Sequence, residues 1–398
     1  MENDRRKKNT FTLPHELIEE ILLRLPVKSL LRFKSVCKSW LNLISDPQFA
    51  KSQFDLAAVK THRLLLRSTN RSIKSLDIEA SLRDDSSFLN LLLPPPPLSP
   101  FLFHGVHHEG VEILGTCRGL VLLLYRRGDI VLWNPSIGVH KRVSHSPFCG
   151  IVELFLQGFG HPVLYGFGYD ASTEDYCIIF IATAINYQTV IEIFSMKANS
   201  WSSVKREGVA SFPYELLGFE FRAGLHLNGA IHWLVLSEIK KERVIIGFDL
   251  MEKVLFEIPL PDELIPEPEF WLFPPMYGLC RPRLRVMRGC LALCYPGAWK
   301  GDEIEIWVME QHRVASSWTK SIVVSTSRNI PHKSFFPLCF TKGGGMLGTK
   351  GRRKLVKLDD KGKVVEDFGF NGDFEALYTD NLHSAMYRES LLPLPVVD

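Results

Sequence analysis

Residues 119–143 read GLVLLLYRRGDIVLWNPSIGVHKRV. A glycine opens an apolar run, a polar turn at Arg126–Asp129 follows, and a second run ends on the bulky Trp133. Another turn, Asn134–Gly138, leads into a third run, Val139–Val143. Short β-branched and aromatic runs bounded by Gly, Asn, Asp and Pro read as strands joined by tight turns. Working outward, the same order of strands and turns returns at 175–204, 229–261, 289–324 and 343–370. Bulky anchors at Leu76, Trp133, Phe194, Phe248, Trp307 and Val356 lie 57, 61, 54, 59 and 49 residues apart. Four-stranded units repeating at this period predict the blades of a β-propeller, and six anchors predict about six blades. A last strand near Met386–Leu392 has no blade of its own. It is expected to pair with the first repeat strands, His62–Arg67 and Ile73–Glu79, so that both ends of the chain close the ring and no sheet edge is left open.

Before residue 60 the period changes. Leu17, Ile18, Ile21, Leu22 and Leu25 recur at helical spacing and draw one apolar stripe, with Pro14 suited to the first turn. Pro26 ends this helix, and Val27, Leu30 and Leu31 begin a shorter one. Val36, Cys37, Trp40, Leu41 and Ile44 predict a third. Asp46 as N-cap and Pro47 in the first position open a fourth, which carries Phe49 and Phe54. Leu22, Leu23, Leu25, Leu30, Leu31 and Phe33 crowd into twelve positions, more apolar surface than three short helices can hide. Either a partner covers that face or the rest of the chain does.

Composition removes several function classes. Formal net charge is only +3, so bulk charge does not make this a nucleic-acid binder. Apolar runs such as Leu120–Tyr125 and Ile178–Ile185 fall far short of the ~18 residues a membrane helix requires, so no membrane insertion is expected. The first ten residues, MENDRRKKNT, lack the apolar core of a signal peptide, and the expected location is the cytoplasm and/or nucleus. The eight cysteines include no C-x-x-C pair, and Cys117, Cys177, Cys290 and Cys294 sit inside apolar runs, the pattern of reduced core thiols. The sequon Asn70-Arg71-Ser72 has no secretory context.

The helical stretch Leu13–Phe49 resembles an F-box, matching at Leu13-Pro14, Leu17, Ile21-Leu22, Leu25-Pro26, Leu30-Leu31, Val36-Cys37, Trp40 and Asp46-Pro47 with Phe49. The repeats resemble the F-box-associated domain of the large plant F-box family, related to kelch-type propellers, through GTCRGLV, LWNPS, YGFGYD, DYCIIF, EIFSMKANSW, LNGAIHWL, GFDLMEKVLFEIPLP and IEIWVM. Arg118 departs from the Asn more usual in the first Gly-rich motif, and Cys177 from the Lys that usually follows the Asp-Tyr motif. The resemblance implies a basic tail at 1–10, a small all-α F-box at 11–57 and an all-β propeller at 60–398. It also implies a non-catalytic substrate receptor of an Skp–cullin–F-box ubiquitin ligase. The Skp-type adaptor is expected to bind Leu13, Pro14, Leu17, Ile21, Leu25, Pro26, Leu30 and Leu31, while Leu22, Val36, Cys37 and Trp40 pack the module. Cullin and the RING subunit would join through the adaptor, and the propeller loops, such as Asp262–Arg283, would take an unknown protein target. Two other roles fit the same architecture: an adaptor-bound scaffold, or a lectin-like propeller that promotes no ubiquitination.

No motif calls for a cofactor or a metal. Gly343–Gly348 fits GxGxxG formally but precedes a strand-like run rather than a helix, which reads as a hairpin. His104, His107 and His108 beside Glu109 lack a suitably spaced fourth ligand. His232, next to Trp233 on a strand, reads as structural. Arg5–Lys8 allows a nuclear-import patch or a solvated tail, and Pro94–Pro97 a polyproline ligand or a stiff loop. Glu303 and Glu305 share one strand face, yet nothing separates an acid from a nucleophile.

Overall fold

A computed structural model describes residues 13–57, 62–67, 73–84, 87–94, 111–125, 129–143, 163–183, 189–204, 213–215, 223–264, 282–296, 303–325, 335–350, 354–369 and 384–396. Four helices come first: α1 (His15–Leu23), α2 (Val27–Phe33), α3 (Lys38–Ser45) and α4 (Pro47–Leu56). Local chemistry sets their ends. Pro14 precedes the first helical residue of α1, and its carbonyl accepts from the Ile18 N–H at 3.2 Å. The Asp46 carboxylate accepts from the Phe49 N–H at 2.9 Å, the N-cap that the Asp-Pro pair predicts for α4. Gln53, fully buried, donates from Nε2 to the Leu25 carbonyl at 3.0 Å and ties α4 to the α1–α2 link.

The third helix starts later than its apolar spacing predicts. Cys37 is not in it but caps it, with extended backbone and its sulfur accepting from the Trp40 N–H at 3.5 Å. Val36 and Cys37 therefore lie outside the buried stripe, and both are exposed, Val36 by 58%. The expectation that they pack the module is corrected. Leu22 is buried, and Trp40 is half-buried with its ring edge-on to Phe33.

Six antiparallel sheets follow as a six-bladed propeller. The first holds β1 (His62–Arg67), β2 (Ile73–Asp77) and β3 (Phe88–Leu91). The second holds β4 (Val111–Cys117), β5 (Leu120–Tyr125), β6 (Ile130–Asn134) and β7 (Val139–Arg142). The third comprises β8 (Val163–Asp170), β9 (Asp175–Thr183), β10 (Thr189–Ser195) and β11 (Ser200–Val204). In the fourth, β12 (Tyr214–Glu215) and β13 (Leu225–Leu227) pair with opposite ends of β14 (Ala230–Ser237), followed by β15 (Arg243–Asp249) and β16 (Leu255–Pro259). The fifth is β17 (Arg283–Met287), β18 (Cys290–Pro296), β19 (Glu303–Met309) and β20 (Trp318–Ser325). The sixth is β21 (Phe335–Phe340), β22 (Met346–Lys350), β23 (Lys354–Leu358) and β24 (Val364–Gly369).

All six anchor residues lie on the third strand of their blade and are buried, none by less than about nine-tenths. They wedge between neighbouring blades, where the apolar clusters of the ring form. The repeat units begin one strand late, however. Gly119, Gly229 and Gly289 each follow a residue of positive φ (Arg118, Asn228, Arg288) and have positive φ themselves. This is the two-residue hairpin turn that joins a blade's first strand to its second. The innermost strand thus precedes the glycine that opens each unit, and innermost strands of neighbouring blades touch around the axis.

The ring closes between its two ends. β25 (Ser384–Arg388) pairs antiparallel with β1, Leu64 opposite Met386, and supplies the innermost strand of the first blade. The closing strand is shorter and earlier than Met386–Leu392, because Leu391 and Leu392 leave the sheet for the helical module. Gly343–Gly345 sit in the turn between β21 and β22, so the GxGxxG match is a hairpin. No described helix is long and apolar enough to cross a membrane.

Candidate functional site

The first candidate site is the outer face of α1. Leu13, Leu17 and Ile21, one turn apart, are 58%, 48% and 51% exposed, and Pro14 is exposed beside them. Leucine and isoleucine at that exposure form an apolar stripe with no cover among the described residues. The other candidates fall differently. Leu25, Pro26 and Leu31 are half-buried at the edge of the module. Leu30 is completely buried among Leu22, Val27, Ile44, Phe49 and Phe54, because the short α2 turns it inward. A partner cannot reach it, so its role is to support the helices.

The second is the channel along the ring axis, a cavity of about 1180 Å³. Arg283, Arg285, Arg288, Glu112 and Tyr165 are among its lining residues. Arg283 lies over the Phe336 ring at 4.1 Å and Arg288 over Phe340 at 4.4 Å. The expected target stretch Asp262–Arg283 lies for the most part outside the described residues.

Several described thiol, carboxylate and imidazole groups sit in structural settings. Burial pushes the Cys117 and Cys177 thiols up to about 12, so neither is a nucleophile near neutral pH. Cys37, Cys117, Cys177, Cys290, Cys294 and Cys339 are free thiols; Cys290 is half-buried rather than buried. Burial works to raise the Glu305 carboxyl, but hydrogen bonds from Lys320 (2.7 Å) and Trp307 (2.9 Å) outweigh it and hold the group below the usual range. That is the opposite of what a general acid needs. His232 is fully buried on β14 as expected of a structural histidine, bonded to the Leu225 carbonyl and to His312. Among the described residues, no group of three or more His, Cys, Asp or Glu could hold a metal ion. Arg5–Lys8, the Asn70 sequon, Pro95–Pro97, the histidines 104, 107 and 108 with Glu109, Cys149 and Cys280 lie outside the described residues.

A third feature had no signal in the local sequence: the seat of the helices on the ring. Leu391 and Leu392, from the end of the chain, are buried in the helical core. Arg118 also reaches the helices. Its guanidinium lies over the rings of Phe54 (5.0 Å) and Tyr169 (4.5 Å) and 4.0 Å from the Asp55 carboxylate. At φ 49° the position favours Asn over most residues, and the arginine there gains a contact that Asn is too short to make.

Comparison with known proteins places these observations. A family model described as the F-box associated beta propeller domain matches residues 99–365, and one for the F-box domain matches residues 11–52. The first blade, built from 62–91 and 384–388, falls outside the propeller match. An F-box/kelch-repeat protein of Arabidopsis thaliana is 29% identical over 330 residues, 78% of this chain and 79% of its own length. The F-box protein CPR1 of Arabidopsis thaliana is 26% identical over 377 residues, covering 89% and 83% of the two chains. An F-box/LRR-repeat/kelch-repeat protein from the same plant is 23% identical over 389 residues, covering 94% and 93%.

Proposed function

The chain belongs to the plant F-box proteins that carry an F-box-associated β-propeller domain, and from that premise we propose that it is the substrate-recognition subunit of an Skp–cullin–F-box ubiquitin ligase. The observation that carries the reading is the apolar stripe Leu13, Leu17 and Ile21, uncovered among the described residues, on an F-box whose core is closed. Burial of such a stripe in a groove of the Skp-type adaptor supplies the affinity. Cullin and the RING subunit join through the adaptor and carry out ubiquitin transfer, so this chain contributes no catalytic residue. It acts in the cytoplasm or nucleus, where its target is marked for degradation.

The seat of the F-box supports a side for the target. The F-box meets the ring at the turns that carry Arg118 and Glu174, and the tail segment seated in its core meets it at the turn that carries Ser136. Each of these turns follows a first or third strand of a blade, so antiparallel order puts them all on one face. The target is captured at the other mouth of the channel, where the innermost strands begin.

The test is co-purification of the tagged full chain from plant cells with the proteasome inhibited. Adaptor, cullin and RING subunit are expected together, with ubiquitinated protein that accumulates only under inhibition. Recovery of adaptor without cullin would favour the scaffold role, and recovery of neither would overturn the ligase reading.

A further inference from the structure

Nine buried residues make the core of the F-box, and two of them, Leu391 and Leu392, are 5% and 7% exposed yet come from the far end of the chain. A module of this size is marginal by itself, so two leucines are a large share of its burial. The segment that delivers them is held by the propeller. Asn134, buried at the end of β6, donates from Nδ2 to the carbonyls of Ser390 (3.1 Å) and Leu392 (2.9 Å). The Ser390 N–H donates to Ser136 Oγ at 3.1 Å, and Ser390 Oγ accepts from the Leu392 N–H at 3.0 Å. Across the segment stands Gly119, where a Cβ would lie 2.3 Å from that of Ser390. The motif GTCRGLV therefore places Gly119, and LWNPS both Asn134 and Ser136, in the groove that receives the tail.

The tail is also continuous with the strand that closes the ring. Arg388, the last residue of β25, pairs with His62, donates to the Phe54 carbonyl and lies over the Phe54 ring at 4.0 Å. From Arg388 to Leu392 the chain can span at most ~14 Å. With β25 in place beside β1, the leucines stand within that reach of the F-box core. The remaining bridges, Lys51 to Glu174 and Arg118 to Asp55, join partly exposed groups and contribute little.

We propose that the segment after β25 is a latch that completes the F-box only once the propeller ring has closed, so that the adaptor face is assembled in closed receptors and not in open or truncated ones. This rests on the receptor reading above for its biological meaning, though the coupling itself is a property of the chain alone. A receptor with an unfinished ring would then not compete for adaptor.

Hydrogen–deuterium exchange of the full-length protein, with adaptor pull-down on the same samples, tests it. Leu391→Ala/Leu392→Ala severs the latch and spares the ring. Exchange in α2–α4 is expected to rise at least ~30-fold, equivalent to about 2 kcal/mol at 1.4 kcal/mol per tenfold, while β4 to β24 stay protected and adaptor retention falls. Asn134→Ala keeps every apolar core residue and is expected to give the same pattern at smaller amplitude. Tyr387→Ala removes a buried side chain of β25, hydrogen-bonded to Ser75 Oγ, and is expected to deprotect β25, β1 and the F-box together. Unchanged F-box exchange in the latch variants, or loss of β25 protection with the F-box still protected, would overturn the latch. Failure of the wild-type chain to retain adaptor would instead count against the receptor reading, and the exchange data would still decide the coupling.

Discussion

His232 has no contact with solvent, and its two ring nitrogens are both engaged. Nδ1 lies 3.2 Å from the Leu225 carbonyl and must carry a proton to bond there. In the neutral ring Nε2 is then an acceptor, and His312, 2.9 Å away, donates to it. Protonating His232 sets N–H against N–H in a dry site. Burial first, with the nearby His312 and Arg313 adding to it, holds its pKa down to about 3; burial likewise holds His226 at about 4. Both values lie below the ~6.5 of an unfolded histidine, so the unfolded chain takes up protons first as pH falls. The stabilising contribution is intact above pH ~6.5 and is lost as pH drops toward 3–4, by about 2 kcal/mol for each histidine at pH 5. The urea midpoint is therefore expected to fall steeply between pH 7 and 5, and His232→Gln to flatten that limb. Equal slopes in wild type and variant would show that these rings titrate normally. At this scale the sequence was readable where chemistry is local. Asp46 before Pro47 announces a cap, and His232 beside Trp233 announces a structural ring. It was unreadable where a two-residue shift of a helix start exposes Val36 and Cys37, because the capping thiol of Cys37 leaves no periodic trace.

The strands and turns of the blades show why some elements could be read and others not. Third strands carry a bulky side chain between blades and stand out at regular spacing. Innermost strands vary from five to eight residues outside the fourth blade, and there that position is divided between β12 and β13, so no period survives. The hairpin glycines make the same point in energies. Gly229 has φ +74° and nothing within 4 Å of a built Cβ, so Gly229→Ala carries backbone strain alone, about 1–2 kcal/mol. Gly119 has φ +82° and, besides the strain, would press its Cβ against Ser390 and the Arg388 carbonyl. Gly119→Ala is expected to cost clearly more than Gly229→Ala in denaturant titration, and only Gly119→Ala to speed amide exchange in the F-box. Equal costs and equal exchange would mean that the tail moves aside freely.

Across the whole molecule, the proposed adaptor face, the ring and the junction between them are built from distant parts of the chain. The F-box and the ring were legible because each repeats or matches a pattern within a continuous stretch. Their junction was not, since Gly119, Asn134 and Leu391 meet only in the folded chain. That junction occupies α4 and the F-box core and leaves the stripe on α1 free, so the two surfaces should separate by mutation. Replacing Leu13, Pro14 and Leu17 together by Ala removes exposed groups, which leaves the core and the latch untouched. Truncating a central interface anchor costs ~2 kcal/mol or more, and three together weaken binding over ~100-fold even without full additivity. The melting temperature should change by no more than about 2 °C, because surface substitutions away from buried features cost little. Leu30→Ala is the contrast: it empties a fully buried site, costs about 2–5 kcal/mol of F-box stability, and weakens adaptor binding only by loosening the helices that present α1. Calorimetric titration of adaptor into each variant, with melting recorded on the same samples, separates the two effects. Wild-type affinity in the triple variant would mean that the adaptor meets another face of the F-box, and the half-buried Leu25, Pro26 and Leu31 would be the next surface to change.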